Sequence, residues 1–514
     1  MSAEPVRAKP RGLTRLAVRN GAVAFFTRIS GLLSGMVLTP IVLGALGRDL
    51  YGVVTVTGST FDYLTLLRGG LGEATRRHVT LHAHSAHPEK ARAYYAAGFW
   101  WGLVLRLGLL AAGLALAAPL AAMLKVAPEL RPDAVLGISL IFVAAVLTDT
   151  SSVLEVPVYA TGKISTISIA RGILTWLRVG AVIAGLTFVS KTLPVYGTAL
   201  IVTSSIALGL FIALASRTRL VGAAIPRPYF GDAKLRKEIF TYGGLFLVVQ
   251  TSSLLYLSAD NLLIGAIYGP GAVTAYSFGV RWAPIVGGFV HSLVGPIAPL
   301  FTQLEAHGQE DRTRAAILRA VTITSALAVP ACLVPCVVGD LFLMHWVGEE
   351  YQSSARYMWV MLGAATIETA FSPVWAAMMG RGRVGWIAGG DLLVAVGNVI
   401  FSLILGVVLG FGLLGFALGN ALALLAKNLL LRPMVARRET ALPPASQFMR
   451  PLVRALAGGA PGLLLLFFTR PYYSGSLLTV VLAALAGGVL VLFGSAWASI
   501  GRQGFRTLRA EAGR

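Results

Sequence analysis

The chain has 514 residues, of which 56% are hydrophobic and only 13% are charged. Its mean hydropathy is +0.76. A soluble domain cannot bury that much apolar surface, so the composition predicts an all-α polytopic membrane protein. The formal net charge of +21 would suggest nucleic acid in a soluble protein. Here most basic residues lie in short connections, where they determine membrane topology, and we expect no nucleic-acid partner.

Apolar runs long enough to cross a bilayer as helices occur about fourteen times. They begin near Asn20, Gly52, Tyr95, Ala134, Thr166, Leu193, Thr241, Ala272, Thr322, Arg356, Val384, Phe411, Pro451 and Ser476. Lysine and arginine are concentrated in alternate connections between these runs, as expected when those connections face the cytoplasm. The pattern predicts an even number of membrane-spanning helices with both chain termini in the cytoplasm.

The longest polar connection, residues 217–242, follows the sixth run and suggests a division of the chain. Its basic amphipathic stretch is expected to lie on the inner membrane surface. We therefore predict an N-terminal lobe of spans one to six (1–220) and a cytoplasmic amphipathic linker (221–241). A C-terminal lobe of spans seven to twelve (242–434) and two additional spans with a basic cytoplasmic tail (435–514) would follow.

Short segments in the two predicted lobes resemble each other at one shared offset. Residues 160–163 (ATGK) match 378–381 (MMGR), and residues 197–200 (GTAL) match 415–418 (GFAL). The shared offset predicts a duplicated bundle. Two similar bundles with the ligand site between them are a common transporter plan.

The sequence contains no pattern that favours an enzyme. It lacks GxxxxGK[ST], GxSxG and HExxH motifs, and the connections predicted to lie outside are short, so we expect no catalytic residues and no ATPase. Four histidines share one connection: His78, His82, His84 and His87. No nearby cysteine or carboxylate set completes a ligand shell, so we interpret them as solvated residues and expect no metal site or bound cofactor. Cys332 and Cys336 are interpreted as packing residues.

Three arginines, Arg28, Arg68 and Arg281, lie several residues inside apolar runs. A charge at such depth costs at least about 2.5 kcal/mol and persists mainly where it faces a polar cavity or a partner. Two interpretations are open: the arginines face a cavity entered by an anion, or carboxylates neutralise them. The candidate carboxylates are Asp62, Glu73, Asp149, Glu155, Asp260, Glu368 and Asp391. Two deeper arginines, Arg106 and Arg178, are expected to pair with Asp149 or Glu155.

Asp260 lies beside Asn261 in the seventh apolar run. A carboxylate in that position is suited to binding Na⁺ or a proton, which would couple transport to an ion gradient. It is equally suited to be the counter-charge of Arg281, and both interpretations stay open.

Several stretches resemble Wzx-type polysaccharide flippases. Residues 45–52 (ALGRDLYG) and 70–77 (GLGEATRR) resemble the start of that family. Residues 260–265 (DNLLIG), 271–276 (GAVTAY) and 299–306 (PLFTQLEA) resemble its seventh and eighth spans. The resemblance implies the multidrug/oligosaccharidyl-lipid/polysaccharide exporter fold: two six-helix lobes around a central cavity. Lipid II flippases share that fold and add two C-terminal helices.

The same resemblance implies a function. The substrate would be an undecaprenyl-pyrophosphate-linked oligosaccharide, flipped across a bacterial inner membrane by alternating access for surface polysaccharide biosynthesis. A polysaccharide polymerase and glycosyltransferases would be partners. Residues 26–31 (FTRISG) are similar to the first-helix motif of lipid II flippases, which place arginines in helices one, two and eight. That similarity implies Arg28, Arg68 and Arg281 as substrate-binding residues.

Three alternatives stay open. A lipid II flippase would usually have a second arginine further along the first span, which this chain lacks. A cation-coupled multidrug or metabolite antiporter would be favoured by an acidic cavity. A membrane scaffold without transport would be favoured by arginines that all face carboxylates and by the absence of a cavity between the lobes.

Overall fold

A computed structural model describes residues 10–68, 70–83, 88–218, 220, 224–294, 309–380, 384–436 and 445–512. Within these residues every regular element is helical, which confirms the all-α prediction. The α-helices of the first part of the chain are α1 (Pro10–Leu64), α2 (Leu71–Ala83), α3 (Pro88–Met123), α4 (Arg131–Ala160), α5 (Ile164–Ala184), α6 (Leu193–Ser216), α7 (Ala233–Tyr268), α8 (Pro270–Val280) and α9 (Trp282–Val294). They are followed by α10 (Glu310–Val347), α11 (Ala355–Ala370), α12 (Ser372–Gly380), α13 (Val384–Leu403), α14 (Gly412–Ala426), α15 (Arg432–Ala436), α16 (Ala445–Phe468) and α17 (Leu477–Ala512).

The described helices account for a multi-pass membrane protein. Ten of them are long and apolar enough to cross a bilayer, or eleven if the bent pair α11–α12 forms one span. Each of the predicted apolar runs begins within a described helix or one residue before it. The number of fourteen spans stays a prediction, as does the central cavity between the lobes.

Helix α1 contains the first two predicted runs. Its apolar part has 39 residues, and a straight helix of that length would measure about 58 Å, roughly twice the apolar thickness of a bilayer. The backbone leaves the helical conformation at Gly47, where φ is 78° and ψ is 174°. A positive φ favours glycine because it has no Cβ. The break at Gly47 therefore divides α1 into two segments, as the two predicted runs require.

The chain divides into two compact units, one of residues 1–250 with 265–271 and the other of residues 251–264 with 272–514. The amphipathic stretch of the predicted linker lies at the start of α7, while its position at the membrane surface and the predicted domain bounds stay predictions. Asp232 caps α7, since its side chain accepts a hydrogen bond from the Leu235 amide at 2.8 Å, and α7 continues unbroken to Tyr268. Residues 233–268 contain no proline, which would break a helix. The amphipathic stretch therefore forms the first turns of α7.

The two units contain the same local arrangement of helices. In the first, α5 ends in a π-helical turn at Gly185–Val189 and α6 begins at Leu193. In the second, α13 ends in a π-helical turn at Ile404–Val408 and α14 begins at Gly412. Helices α6 and α14 also contain the repeated segments 197–200 and 415–418. This correspondence supports the predicted duplication.

The last two membrane-spanning helices, α16 and α17, pack backbone against backbone through glycines. A Cβ added at Gly494 would lie 2.0 Å from the carbonyl oxygen of Gly458, and a Cβ at Gly458 would lie 2.2 Å from that of Gly494. Membrane helices commonly approach closely through small residues. The Ser495 hydroxyl adds a hydrogen bond across the pair, to the Ala455 carbonyl at 2.9 Å.

We predict that Gly494→Ala destabilises the protein by roughly 1–3 kcal/mol, because the added methyl group meets a backbone oxygen that cannot move aside. The matched control is Gly488→Ala on the same helix, where nothing lies within 4 Å of the added Cβ. Thermal unfolding of the purified variants in detergent measures both effects. Equal melting temperatures for the two variants would show that the glycine contact is not needed.

Candidate functional site

The first unit contains a polar cavity of about 230 Å³. Three arginines and two glutamates line it together with a tyrosine. These residues are Arg68, Arg76, Arg171, Glu73, Glu155 and Tyr159. The cavity therefore carries more cationic than anionic side chains, as a site for an anion requires.

Local structure positions these side chains. The chain leaves α1 through a 3₁₀ turn at Thr65–Arg68, and the Gly70 amide donates to the Gly243 carbonyl of α7 at 3.0 Å. This turn places Arg68 on one wall and begins α2. Glu73 and Arg76 follow three residues apart on α2 and form an ion pair. The Arg76 guanidinium also lies 5.1 Å from the ring centroid of Tyr159 on α4.

Arg68 both lines the cavity and pairs with a carboxylate. Its Nη1 donates to both carboxylate oxygens of Asp149 on α4, at 2.6 Å for Oδ2. The same Oδ2 accepts a second hydrogen bond, from Nε of Arg106 on α3 at 2.7 Å. The two interpretations of Arg68 are thus combined in one residue: it is neutralised, and it faces a cavity.

Arg106 pairs with Asp149, one of the two carboxylates predicted for it, but the expected pairing of Arg178 is wrong. Glu155 binds Arg171 through two hydrogen bonds, from Nε at 2.9 Å and from Nη2 at 2.5 Å. Arg178 lies seven residues further along α5, about 10 Å away along the helix axis. With Asp149 and Glu155 both occupied by other arginines, neither carboxylate pairs with Arg178.

Arg28 has an exposed side chain and makes no hydrogen bond or ion pair with the described part of the chain. It does not line the cavity. Neighbouring residues fix this part of α1 against α5: the Thr27 hydroxyl donates to the Ser168 carbonyl at 3.1 Å, and the Trp176 indole donates to the Ser30 hydroxyl at 2.7 Å. Arg28 therefore lies on the segment of α1 that packs against the helix carrying Arg171.

Arg281 belongs to the second unit, at the break between α8 and α9. Its Nε donates to the Ser277 carbonyl at 3.2 Å, and its guanidinium lies 5.1 Å from the ring centroid of Phe278. All the residues that line the cavity belong to the first unit. The role of Arg281 in substrate binding stays a prediction.

Asp260 lies at the centre of a buried polar cluster in the second unit. Its Oδ2 accepts hydrogen bonds from the Tyr276 hydroxyl and from Nδ2 of Asn420, each at 2.5 Å. The Oδ1 atoms of Asp260 and Asn420 are buried and have no hydrogen-bond partner among the described residues. Asp260 forms no ion pair with Arg281, so the counter-charge interpretation is wrong. Two buried acceptor oxygens without donors fit a bound proton or a small cation.

The two described histidines of the predicted cluster pack against one aromatic ring. His78 and His82 stack on Tyr94 with ring centroids 4.6 and 5.3 Å apart. Burial, together with neighbouring Arg77, lowers the pKa of His78, which keeps its ring neutral at pH 7. The described residues contain no group of three histidine, cysteine or acidic side chains that could hold a metal ion. His84 and His87 lie outside the described residues, as does the stretch 299–306.

Sequence reasoning missed Arg171, although the signal that selected the other arginines was present. Arg171 lies inside the fifth apolar run, between Ala170 and Gly172. Arg76 is one of the basic residues between apolar runs and Asp149 one of the candidate carboxylates, and neither position by itself predicts a cavity. Whether such residues share a cavity depends on which faces of α2, α4 and α5 meet.

The comparisons with known proteins agree with this architecture. The sequence model of a family described as "Polysaccharide biosynthesis protein" matches residues 81–356, more than half of the chain. The chain belongs to this polysaccharide biosynthesis protein family. "Uncharacterized membrane protein EpsK" of Bacillus subtilis is 23% identical over 421 residues, which cover 78% of this chain and 79% of EpsK. "Probable low-salt glycan biosynthesis flippase Agl15" of Haloferax volcanii is 21% identical over 221 residues, or 43% of this chain and 46% of Agl15.

Among solved structures, the lipid II flippase MurJ in an inward closed conformation has a TM-score of 0.69 at 12% identity, covering 93% of this chain and 98% of MurJ. An inward-facing multidrug resistance MATE family transporter of the MOP superfamily has a TM-score of 0.68 at 15% identity, covering 81% of this chain and 99% of the transporter. This member of the polysaccharide biosynthesis protein family therefore has the MATE and MurJ transporter fold. The resemblance stated from the sequence is confirmed for family and fold.

We predict that the two carboxylates beside the cavity differ in their contribution to stability. Asp149→Asn leaves two guanidinium groups, one of them 2% exposed, without a counter-charge, and should cost at least about 3 kcal/mol. Glu155→Gln removes a pair whose arginine is 56% exposed, and should cost under about 1 kcal/mol. Thermal or denaturant unfolding in detergent measures both, and an equal or reversed order would contradict the assignment.

Proposed function

We propose that this protein flips an undecaprenyl-pyrophosphate-linked oligosaccharide across the inner membrane of a bacterium for surface polysaccharide biosynthesis. Movement would occur by alternating access, with both chain termini in the cytoplasm. The observation that carries the proposal is the cavity of the first unit, where three arginines face two glutamates. Its excess of guanidinium groups suits a pyrophosphate, because each planar group can donate two parallel hydrogen bonds to phosphate oxygens.

Family membership supports the same substrate class. The family is described by polysaccharide biosynthesis, and one relative is named a probable glycan biosynthesis flippase. The solved structures with the same fold are transporters, including a lipid II flippase. We infer that glycosyltransferases act before this protein, since its substrate must be made. A polysaccharide polymerase would act after it and consume the product.

In the proposed cycle Arg28 and Arg68 bind the pyrophosphate on the cytoplasmic side, and Arg281 attracts it towards the outer side. The glycan crosses through the wet interior while the lipid tail stays in the bilayer. A multidrug or metabolite antiporter is less favoured, because the cations it exports call for an acidic cavity. A scaffold without transport is also less favoured, because the solved structures with this fold are transporters and the first unit contains an arginine-lined cavity.

We predict that the double variant Arg28→Ala with Arg68→Ala abolishes export, since it removes both groups that would bind the pyrophosphate on the cytoplasmic side. Complementation of flippase-deficient strains tests this when surface glycan and peptidoglycan rescue are scored separately. Protein levels, measured by immunoblot, should be normal. The matched control Lys90→Ala with Lys163→Ala removes two exposed positive charges and should export normally.

Two outcomes of that experiment would contradict the proposal. Full surface-glycan export by the double arginine variant would remove Arg28 and Arg68 from the mechanism. If the wild-type protein rescued peptidoglycan synthesis but not surface glycan, the substrate would be lipid II instead.

We also propose that Asp260 binds the coupling ion, Na⁺ or a proton. The site fits that role, because the Oδ1 atoms of Asp260 and Asn420 are buried oxygens without a hydrogen-bond donor among the described residues. When bound, the ion would satisfy these oxygens and link the polar cluster of the second unit to the electrochemical gradient.

We predict that Asp260→Asn loses stimulation by an ion gradient, because an amide can neither be protonated near neutral pH nor neutralise Na⁺. Flipping in proteoliposomes under an imposed Na⁺ gradient or an imposed pH gradient measures the effect and identifies the ion. The control Asp391→Asn lies in the same unit, where Asp391 pairs with Lys427 at 3.1 Å, and should still respond to the gradient. An Asp260→Asn variant with an unchanged gradient response would refute the assignment.

A further inference from the structure

Asp149 binds two arginines, of which only one lines the cavity. Arg68 is a cavity residue, and its side chain is 20% exposed. Arg106 lies behind it on α3 with a side chain that is 2% exposed. Arg106 is therefore too deeply buried to meet a substrate, and its contact with Asp149 needs another explanation.

The hydrogen bonds show how loosely Arg68 is held. Both of its bonds to Asp149 use Nη1, whereas Nε and Nη2 make no hydrogen bond with the described residues. The neighbouring pair of Glu155 and Arg171 differs, since Nε and Nη2 each donate to a separate carboxylate oxygen. A fork with two parallel bonds is the stronger arrangement. Arg68 and Arg171 both line the cavity and bind a carboxylate, and Arg68 is the one held through a single nitrogen, with Nε and Nη2 left over.

The charges show what Arg106 contributes. A buried carboxylate that loses its cation costs several kcal/mol, so Arg68 alone on Asp149 would be difficult to remove. Arg106 donates its own hydrogen bond to Asp149, from Nε to Oδ2 at 2.7 Å, so the carboxylate has a second cation besides Arg68. With both arginines on one carboxylate, the group carries a surplus positive charge beside the cavity, which attracts an anion.

The packing of α3 reserves space for this second arginine. A Cβ added at Gly102, one turn before Arg106, would lie 2.5 Å from the Arg106 Nη1 atom. The guanidinium therefore occupies the room that a side chain at residue 102 would take. The packing space of Arg106 is thus provided by its own helix, α3.

We propose that Asp149 is an internal substitute for the substrate's phosphate and that Arg106 keeps Asp149 neutralised while Arg68 moves to the lipid diphosphate. When the diphosphate leaves, Asp149 takes Arg68 back, which favours release. Asp149 and Arg106 are thus positioning residues that set how tightly Arg68 binds. This inference rests on the proposed function, because it takes a lipid diphosphate as the ligand of the cavity.

The test compares binding of undecaprenyl diphosphate to the purified protein in nanodiscs by native mass spectrometry, with undecaprenol and inorganic pyrophosphate as separate arms. Asp149→Asn should bind the lipid diphosphate about tenfold more tightly, because Arg68 no longer has a competing carboxylate. Arg106→Leu should bind it at least about tenfold more weakly, because departure of Arg68 would leave Asp149 without a cation. The double variant should bind as tightly as Asp149→Asn, since no carboxylate remains to be left behind.

These opposite signs separate positioning from a structural role, which would weaken binding in all three variants. In flipping assays Asp149→Asn should lower both KM and kcat, because release becomes slow. If Asp149→Asn does not fold, the binding affinity of the double variant Asp149→Asn with Arg106→Leu decides between the two roles, since this variant removes the charges of Asp149 and Arg106 together. The control Arg470→Gln breaks another arginine–carboxylate pair, with Asp340 in the second unit, and should leave binding unchanged.

The possible failures are distinct. A wild-type protein that binds no lipid diphosphate would overturn the proposed function and this inference with it. Wild-type binding together with weaker binding by Asp149→Asn, or by the double variant, would overturn the inference alone. The inference predicts that undecaprenyl diphosphate binds more tightly than inorganic pyrophosphate. Equal binding of the two would show that the lipid diphosphate is not the specific ligand.

Discussion

Compensation of charge inside an apolar helix bundle is the constraint on which the rest of this structure depends. An ion taken out of water must be paired and hydrogen-bonded, or it destabilises the fold. The first unit meets this requirement with Asp149 and Glu155, each bound to arginine. The second unit meets it with Glu368, which binds Arg432 at 3.0 Å and accepts a hydrogen bond from Asn428 at 2.6 Å.

The two units differ in which charge is left in excess. The first unit places two guanidinium groups on one carboxylate and orients one of them into a cavity. The second unit buries Asp260 among neutral donors, with a carboxylate oxygen that has no donor among the described residues. A cationic surplus suits an anionic ligand and an unneutralised carboxylate suits a cation, so each unit has the chemistry for one of the two species that the proposed ion-coupled flippase would bind.

Close packing of helices through glycines holds such polar groups rigidly inside an apolar helix bundle. Gly102 makes room for Arg106, and Gly458 with Gly494 lets α16 and α17 touch through their backbones. In lipid no hydrophobic force drives helices together, so contacts of this kind supply much of the packing energy. The same small residues fix the rotation of each helix, and rotation decides which side chains meet.

By itself, the sequence determined the membrane class, the positions of the helices and the unusual arginines, because each signal is local. A run of apolar residues shows itself within one segment, and so does a charge inside it. The partner of Arg106 could be narrowed to Asp149 or Glu155, since few carboxylates were available. Only the tertiary structure decided that Asp149 also binds Arg68, that Arg171 rather than Arg178 occupies Glu155, and that Asp260 turns to Tyr276 and Asn420. These outcomes depend on the rotation and register of helices far apart in the chain, which no single segment encodes.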